Sequence, residues 1–427
     1  MAELLTRKRQ IAAVVETTSG TYQSSSPDMD LDAEAKDFAE FLVRSPSFTP
    51  AAQIFDRNIV TGTLTRTDQF APGVTSAELA FGMELSGHSD TVTGLSTVEP
   101  PLFRILSACG FRSDVVRGHA ATDPWTPADG VMIHGETVNG SPSGNSAVMH
   151  GDVLDDENEK VYTRNETGSL SGDTLTGAIS GQVIPLTGRD GSTSYGLSPN
   201  SAPANANTLS VNYYADGKRW KLKGCAGTSE WTFEHANVPL VNITLSCIIE
   251  DVDDSSLLTG ANKPFLLTHP PLPSLGSAFS ILPQDGAGGT VLDPTYNSLS
   301  VQNNQTVTLR ENSADTDGWS FAAVTGRAMT LRANWDEVLN ATFDFHTDHK
   351  VGTVRALRWN VGLVTQIGQN FFFRVPAAQI ASLTEGDRDN VTVWEAEYTL
   401  RSGFWTDQAS PDKRIIGKDN EFIVITR

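Results

Sequence analysis

With 427 residues, 39% of them hydrophobic, the chain is long enough for two or three domains with buried cores and should fold rather than stay disordered. Its 51 acidic residues against 31 basic ones give a formal net charge of -20, so the average surface repels DNA, RNA and anionic membranes. Cys109, Cys225 and Cys247 stand far apart, without CxxC or Cys/His spacing, which argues against zinc and a disulfide framework and for buried thiols in a reducing compartment.

Taken in chain order, the N-terminal "MAELLTRKRQIAAVVETTSG" has basic residues followed by an apolar run. Ile11 to Val15 is too short for the core of a signal peptide, and Glu16 ends it. No apolar stretch approaches the roughly 20 residues needed to cross a bilayer, so assembly in a cytoplasm is expected. Residues 30–45 are expected to form a helix around Phe38, Phe41 and Leu42. In "SAELAFGMELSG", Leu79, Phe81, Met83 and Leu85 alternate with Glu78, Ala80, Gly82 and Glu84, the period of a half-exposed strand. "EPPLFRILSACGF" then predicts a short helix, with Pro in its first turn and Gly110 as its stop.

Between residues 112 and 208 the composition shifts to Gly, Ser, Thr, Asp and Asn. Here "GETVNGSPSG" (135–144) matches "GDTLTGAISG" (172–181), each copy reading as a short strand and a tight turn. The pair predicts an inserted β-module, with "SYGLSPNSAPANAN" as the linker back. In "YYADGKRWKLKG", Asp216-Gly217 is a two-residue turn signal. Beyond it Arg219, Lys221 and Lys223 alternate with Trp220 and Leu222, so Trp220 belongs to the core side rather than to a base-stacking groove. "TSEWTFEHANVPLVNITLSCII" predicts a hairpin turning at Ala236 to Pro239. "NWDEVLNATFDFHTDHKVG" predicts a second helix ending at Gly352.

The order and spacing of elements repeat between the two halves, implying a duplicated domain. The fold class expected is mainly β: two domains of like element order, each with a short helix, plus the small inserted module; the resemblance described below implies that each is a β-sandwich. The expected boundaries are an N-terminal arm (1–54), a first domain (55–111 and 209–250), the inserted module (112–208), a Pro/Gly-rich linker (251–298) and a second domain with a C-terminal arm (299–427).

No enzymatic constellation emerges. "DFHTDH" clusters Asp344, His346, Asp348 and His349, but lacks HExxH spacing and a third ligand elsewhere. "GSPSG" puts Pro142 where a nucleophile elbow needs its serine. Glu395 and Glu397, two apart on a strand, read as a polar face before they read as paired catalytic acids. "GAGG" lacks the Lys-Ser/Thr of a phosphate loop; Gly-Asp and Asp-rich turns could bind calcium, though no EF-hand ladder is present. No cofactor and no metal are expected.

Three blocks carry a family resemblance: "LLTRKRQIAAVVETTSGT", "PPLFRILSACGF" and "YYADGKRWKLKGCAGTSEWTFEHANVPLVNITLS". Together with the closing "VGTVRALRWNVG", "QNFFFRVPAAQI" and "TEGDRDNVTVWEAEYTL", they make the chain similar to the tail tube, or major tail, proteins of long-tailed bacteriophages. The "GETVNGSPSG" repeat resembles a small β-module that decorates phage structural proteins. The resemblance implies a sandwich whose inner sheet joins those of neighbours into a closed barrel, with rings stacked into a tube. Family rings have six tube domains, so two per chain imply a trimer with pseudo-sixfold symmetry, or a hexamer if the chain is not duplicated. It further implies a virion protein made in the host cytoplasm, with tape measure and terminator proteins as partners, and a sheath if the tail is contractile. DNA would pass through an acidic lumen without specific binding. Glu78, Glu84, Glu230, Glu234, Glu395 and Glu397 are the lumen candidates, with a solvated exterior face as the alternative for each. Arg219, Lys221 and Lys223 are candidates for subunit contacts. A second class, a carbohydrate-binding adhesin or lectin-like module, stays open because Trp-bearing strands also suit sugar stacking.

Overall fold

The computed structural model describes residues 9–23, 39–52, 55–57, 68–70, 75–86, 100–121, 137–150, 160–170, 173–178, 183–201, 207–254, 272, 274, 277, 279–283, 291–362, 370–407, 410–416 and 419–426. The first half opens with β1 (Arg9–Val15), β2 (Ala39–Phe41), β3 (Arg44–Ala52), a hairpin of β4 (Phe55–Arg57) and β5 (Asp68–Phe70), and β6 (Thr75–Glu84). Helix α1 (Pro101–Leu106) follows, then β7 (Phe111–Ala121), β8 (Thr137–Ser141), β9 (Ser146–Met149), β10 (Lys160–Arg164), β11 (Thr174–Gly177) and β12 (Val183–Pro199). The half closes with β13 (Leu209–Ala215), β14 (Lys218–Glu234) and β15 (Leu240–Asp253). The second half holds β16 (Phe279–Pro283), β17 (Tyr296–Gln302), a hairpin of β18 (Thr306–Glu311) and β19 (Trp319–Gly326), and β20 (Thr330–Asp336). It ends with α2 (Phe345–Val351), β21 (Val354–Gly362), β22 (Asn370–Arg388), β23 (Val391–Arg401), β24 (Phe404–Asp407), β25 (Ser410–Ile416) and β26 (Ile423–Thr426). The protein is mainly β, as its alternating pattern predicts.

Two long hairpins organise the sheet. In the turn from β13 into β14, Asp216 and Gly217 both have positive φ, 41° and 106°, so Ala215 pairs directly with Lys218 in the tight turn predicted from Asp-Gly. β14 then runs beside β15, which pairs with β6, which pairs with β3. In the second half β22 runs beside β23, β23 beside β20, and β20 beside β17. The halves meet where Glu230–Glu234 of β14 pair with Ser298–Gln302 of β17. The result is one antiparallel run of eight strands, β3-β6-β15-β14-β17-β20-β23-β22.

Both long strands leave this sheet at their N-terminal ends. The first part of β14 pairs with β13, which pairs with β1, and β1 with β2. The first part of β22 lies between β21 and β26, and β26 leads through β12 to β7. Between these layers lies a single core shared by both halves. Trp231 packs edge-on against Phe373 and Phe422, with ring centroids 5.7 and 5.6 Å apart, and Phe233 against Trp359 and Phe373 at 5.7 and 5.0 Å.

Several expectations change. Residues 9–15 are no arm: Ile11, Ala12, Ala13 and Val14 are buried in an interior strand. Residues 39–41 and 44–52 are strands, because Phe41 and Phe48 complete the core from an extended backbone; the rest of the helix expected over 30–45 lies outside the described residues. The second helix spans only Phe345–Val351, since residues 334–336 complete β20 and Asp344 caps the helix, its carboxylate accepting from the Thr347 amide at 2.9 Å. The presumed linker from Ser194 to Asn207 begins as strand, with Tyr195 to Ser198 buried between β7 and β26. The presumed linker 251–298 holds the end of β15, all of β16 and the start of β17.

The repeat within the module has a structural counterpart. β8 and β11 pair antiparallel with Asn139 opposite Thr176, which are equivalent positions of the two copies. The copies are thus related by a local twofold axis through that pair.

Candidate acidic sheet face

Residues directly opposite one another on adjacent strands share a face. In the eight-stranded run, one row reads Arg44, Gly82, Asn242, Glu230, Gln302, Thr330, Thr399 and Gln379. The next residue along faces the other way, and that row reads Met83, Val241, Trp231, Val301, Leu331, Tyr398 and Ile380, every one buried. Two further polar rows follow: Glu84, Leu240, Thr232, Ser300, Arg332, Glu397, Ser382, and Glu234, Ser298, Asn334, Glu395, Thr384. Glu78 lies on the same face, opposite Thr49 and Ser246. The period of two along each strand thus becomes a continuous surface of small polar and acidic side chains backed by core.

All six glutamates singled out in the sequence therefore share one face, and Glu230, Glu234, Glu395 and Glu397 line one shallow groove on it with Thr232, Ser298, Ser300 and Arg332. Arginines answer part of the charge: Arg44 pairs with Glu84 at 2.5 Å, Arg332 with Glu397 at 3.1 Å, and Arg388 with Asp336 at the end of β20. Glu230 accepts from Gln302 Nε2 at 2.7 Å, and Glu234 from Asn237 Nδ2 at 3.1 Å. Among the described residues Glu78, Glu230, Glu234 and Glu395 form no ion pair, so the face keeps an excess of negative charge.

The cations expected at subunit contacts are engaged within the chain. Arg219 Nε donates to Asp253 at 2.9 Å, Lys221 reaches Asp251 at 3.0 Å and Asp253 at 2.9 Å, and the largely buried Lys223 joins Glu250 at 2.5 Å to Asp317 at 2.6 Å. Between Lys221 and Leu222 the pairing with β15 shifts register because β15 carries an extra residue, Glu250, while β14 keeps its pairing with β13 unbroken from Lys218 to Leu222. Trp220 packs on Phe48, centroids 4.9 Å apart, on the core side as expected. Hydrogen bonding from Arg219 holds the Asp253 carboxyl at about 2.

Other chemistry is structurally occupied. Asp348 receives both arms of the Arg355 guanidinium at 2.8 Å, Asp344 caps α2, and His346 and His349 point to solvent. Among the described residues no three metal-ligating side chains converge, and no described helix is long and apolar enough to cross a membrane. A second cleft contains Arg327, but its guanidinium is held by Glu421 at 2.9 Å and Asp419 at 3.2 Å. All three cysteines are buried free thiols.

Glu16 is a node that pattern reading passes over. Its buried carboxylate accepts from the Gly20 and Gly224 amides, both at 2.7 Å, and from Thr208 Oγ1 at 2.5 Å and Ser210 Oγ at 2.9 Å. Nothing local in "VVETTSG" signals partners some 200 residues away. Compared with known proteins, the chain matches no protein-family model and no curated protein. The fold and its one-sided sheet define a mainly-β protein with a long acidic surface.

Proposed function

We propose that this protein is a structural subunit that assembles with copies of itself into closed rings. The rings stack into a tube whose lumen is the acidic sheet face, in the manner of the phage tail tube proteins its sequence resembles. The single observation that carries this reading is the eight-stranded run itself: polar and acidic on one face across its whole width, core-forming on the other. A sheet with such a face and unclosed edges is stabilised by curling into a barrel with others like it.

The dimensions agree. At about 4.8 Å between strands and a tilt of about 40°, 24 strands from three copies close at about 48 Å across the backbone, whereas 16 strands close at about 32 Å. Once side chains line the wall, three copies leave comfortable room for a nucleic-acid duplex of about 20 Å. The uncompensated glutamates would repel phosphate and offer few sites for counterion release, so DNA slides without adhering. On this reading the protein belongs to a virion tail, its partners are its own copies and the tape measure and terminator components, with a sheath where the tail is contractile, and it is no enzyme. The adhesin reading has less support: Trp231, Trp335 and Trp359 are buried, and Trp220, Trp319 and Trp394 are half-buried, so none of these offers an open platform for a sugar ring.

Negative-stain microscopy of concentrated protein tests the reading. Rings or tubes with a central channel are expected; a monomer that binds glycans would contradict it. Replacing Glu230, Glu234, Glu395 and Glu397 together by Lys should leave rings intact while turning them into salt-sensitive DNA binders.

A further inference from the structure

The β14–β17 junction inside the chain is a template for the contact between chains. β3, the β4–β5 hairpin, β6, α1, β14 and β15 of the first half correspond in order and pairing to β17, the β18–β19 hairpin, β20, α2, β22 and β23 of the second. The outer strands of the eight-stranded run are therefore the counterparts of the two strands that meet at its centre: β3 corresponds to β17, and β22 to β14. Among the described residues β3 pairs with β6 alone, and beyond Gln379 β22 pairs with β23 alone.

Resting on the tube reading for its setting, we propose that a second copy of this chain completes these edges head to tail, β22 of one copy pairing with β3 of the next in the register of the internal junction. That register follows from the pairs already described. Leu79 lies between Phe48 and Leu245 as Leu331 lies between Val301 and Tyr398, which makes Phe48 the counterpart of Val301. Trp231, opposite Val241, corresponds to Glu385, opposite Trp394. Glu230 opposite Gln302 inside the chain becomes Thr384 opposite Thr49 between chains.

The edge is built to be selective. Pro50 pairs with Ala77 although proline has no N–H, so at this position the backbone groups point away from β6. Phe48, two residues earlier, points its own N–H and carbonyl the same way, to the open edge. Pro46 and Pro50 on either side have no N–H to give, which blunts indiscriminate strand addition and leaves Phe48 to set register.

A second surface follows the same logic. Inside the chain the segment after β17 covers the end of the first half's helical turn: Gln305 Nε2 donates to the Cys109 carbonyl, and Asp317 of the β18–β19 connection pairs with Lys223 at 2.6 Å. At the second half's helix, α2, Leu339 and Val351 remain 79% and 73% exposed. The β4–β5 hairpin, counterpart of β18–β19, is what the next copy brings to cover them.

The experiment is disulfide trapping with Thr49→Cys and Thr384→Cys in one chain, the native thiols being buried. Mild oxidation should give covalently linked dimers and trimers on non-reducing gels, which neither single variant nor the register-shifted pair Thr49→Cys with Ser382→Cys yields to a comparable extent. Leu339→Asp with Val351→Asp should reduce assembly at least tenfold while leaving the monomer's circular dichroism and thermal unfolding unchanged. Rings that form without the Thr49–Thr384 link would overturn the interface and leave the tube reading standing. Protein that stays monomeric at all concentrations would overturn the tube reading and the interface with it.

Discussion

Glu16 shows how one residue ties distant parts of this chain together. Glu16→Gln keeps the shape but turns one acceptor into a donor that faces donors, which should lower stability by about 2 kcal/mol. Denaturant titration with an unchanged slope measures it. The thiols make a second residue-level case. Burial pushes Cys109 up to about 12 and Cys225 well above the ordinary thiol value. Because all three thiols are buried, a thiol reagent should find none of them in native protein and all three after unfolding. At Asp253 the folded carboxyl titrates at about 2 against 3.8 unexposed to its partners. A depressed carboxylate contributes its stability above the unfolded value and loses it as pH falls from about 4 towards 2. Asp253→Asn should flatten stability in that window, as thermal unfolding between pH 5 and 2 will show.

At the scale of elements, β14 depends on two glycines for different reasons, one in the turn before it and one within it. Gly217 has φ of 106°, so Gly217→Ala strains the turn by about 1–2 kcal/mol. Gly227 lies against β15, where a Cβ would fall 2.0 Å from the Thr244 carbonyl oxygen; Gly227→Ala should cost more, about 2–4 kcal/mol, by forcing the strands apart. Equal effects from the two substitutions would contradict these assignments. These elements also show what was legible beforehand. The alternation around Leu79 and Trp231, the Asp-Gly turn and the Pro-to-Gly helix near residue 101 each depend on local rules, and each is found. The helix expected over 334–352 shrank because Trp335 is needed in a strand core, a demand made by Tyr398 and Phe279 from far away in the chain. Near Phe41 the expected helix gives way to strand over residues 39–41, where Phe41 pairs with Ile11.

The whole molecule is less readable from local pattern because its decisive feature is the meeting of halves. Six glutamates could be picked out strand by strand, yet their common face exists only because β14 pairs with β17 and the rows run through. The same junction merges two expected domains into one core, in which Trp231 contacts second-half aromatics. Trp231→Ala should accordingly cost about 3–5 kcal/mol and unfold both halves in a single transition; two separate transitions would argue for independent domains. The partners of Arg219, Lys221 and Lys223 are hidden from local pattern for the same reason, since Asp251, Asp253 and Asp317 reach them only through tertiary pairing. The most direct test of the central claim is the mass of the assembled particle by native mass spectrometry. The account predicts a ring of three copies of the 45.9 kDa chain; a six-copy ring, or a monomer at every concentration, would contradict it.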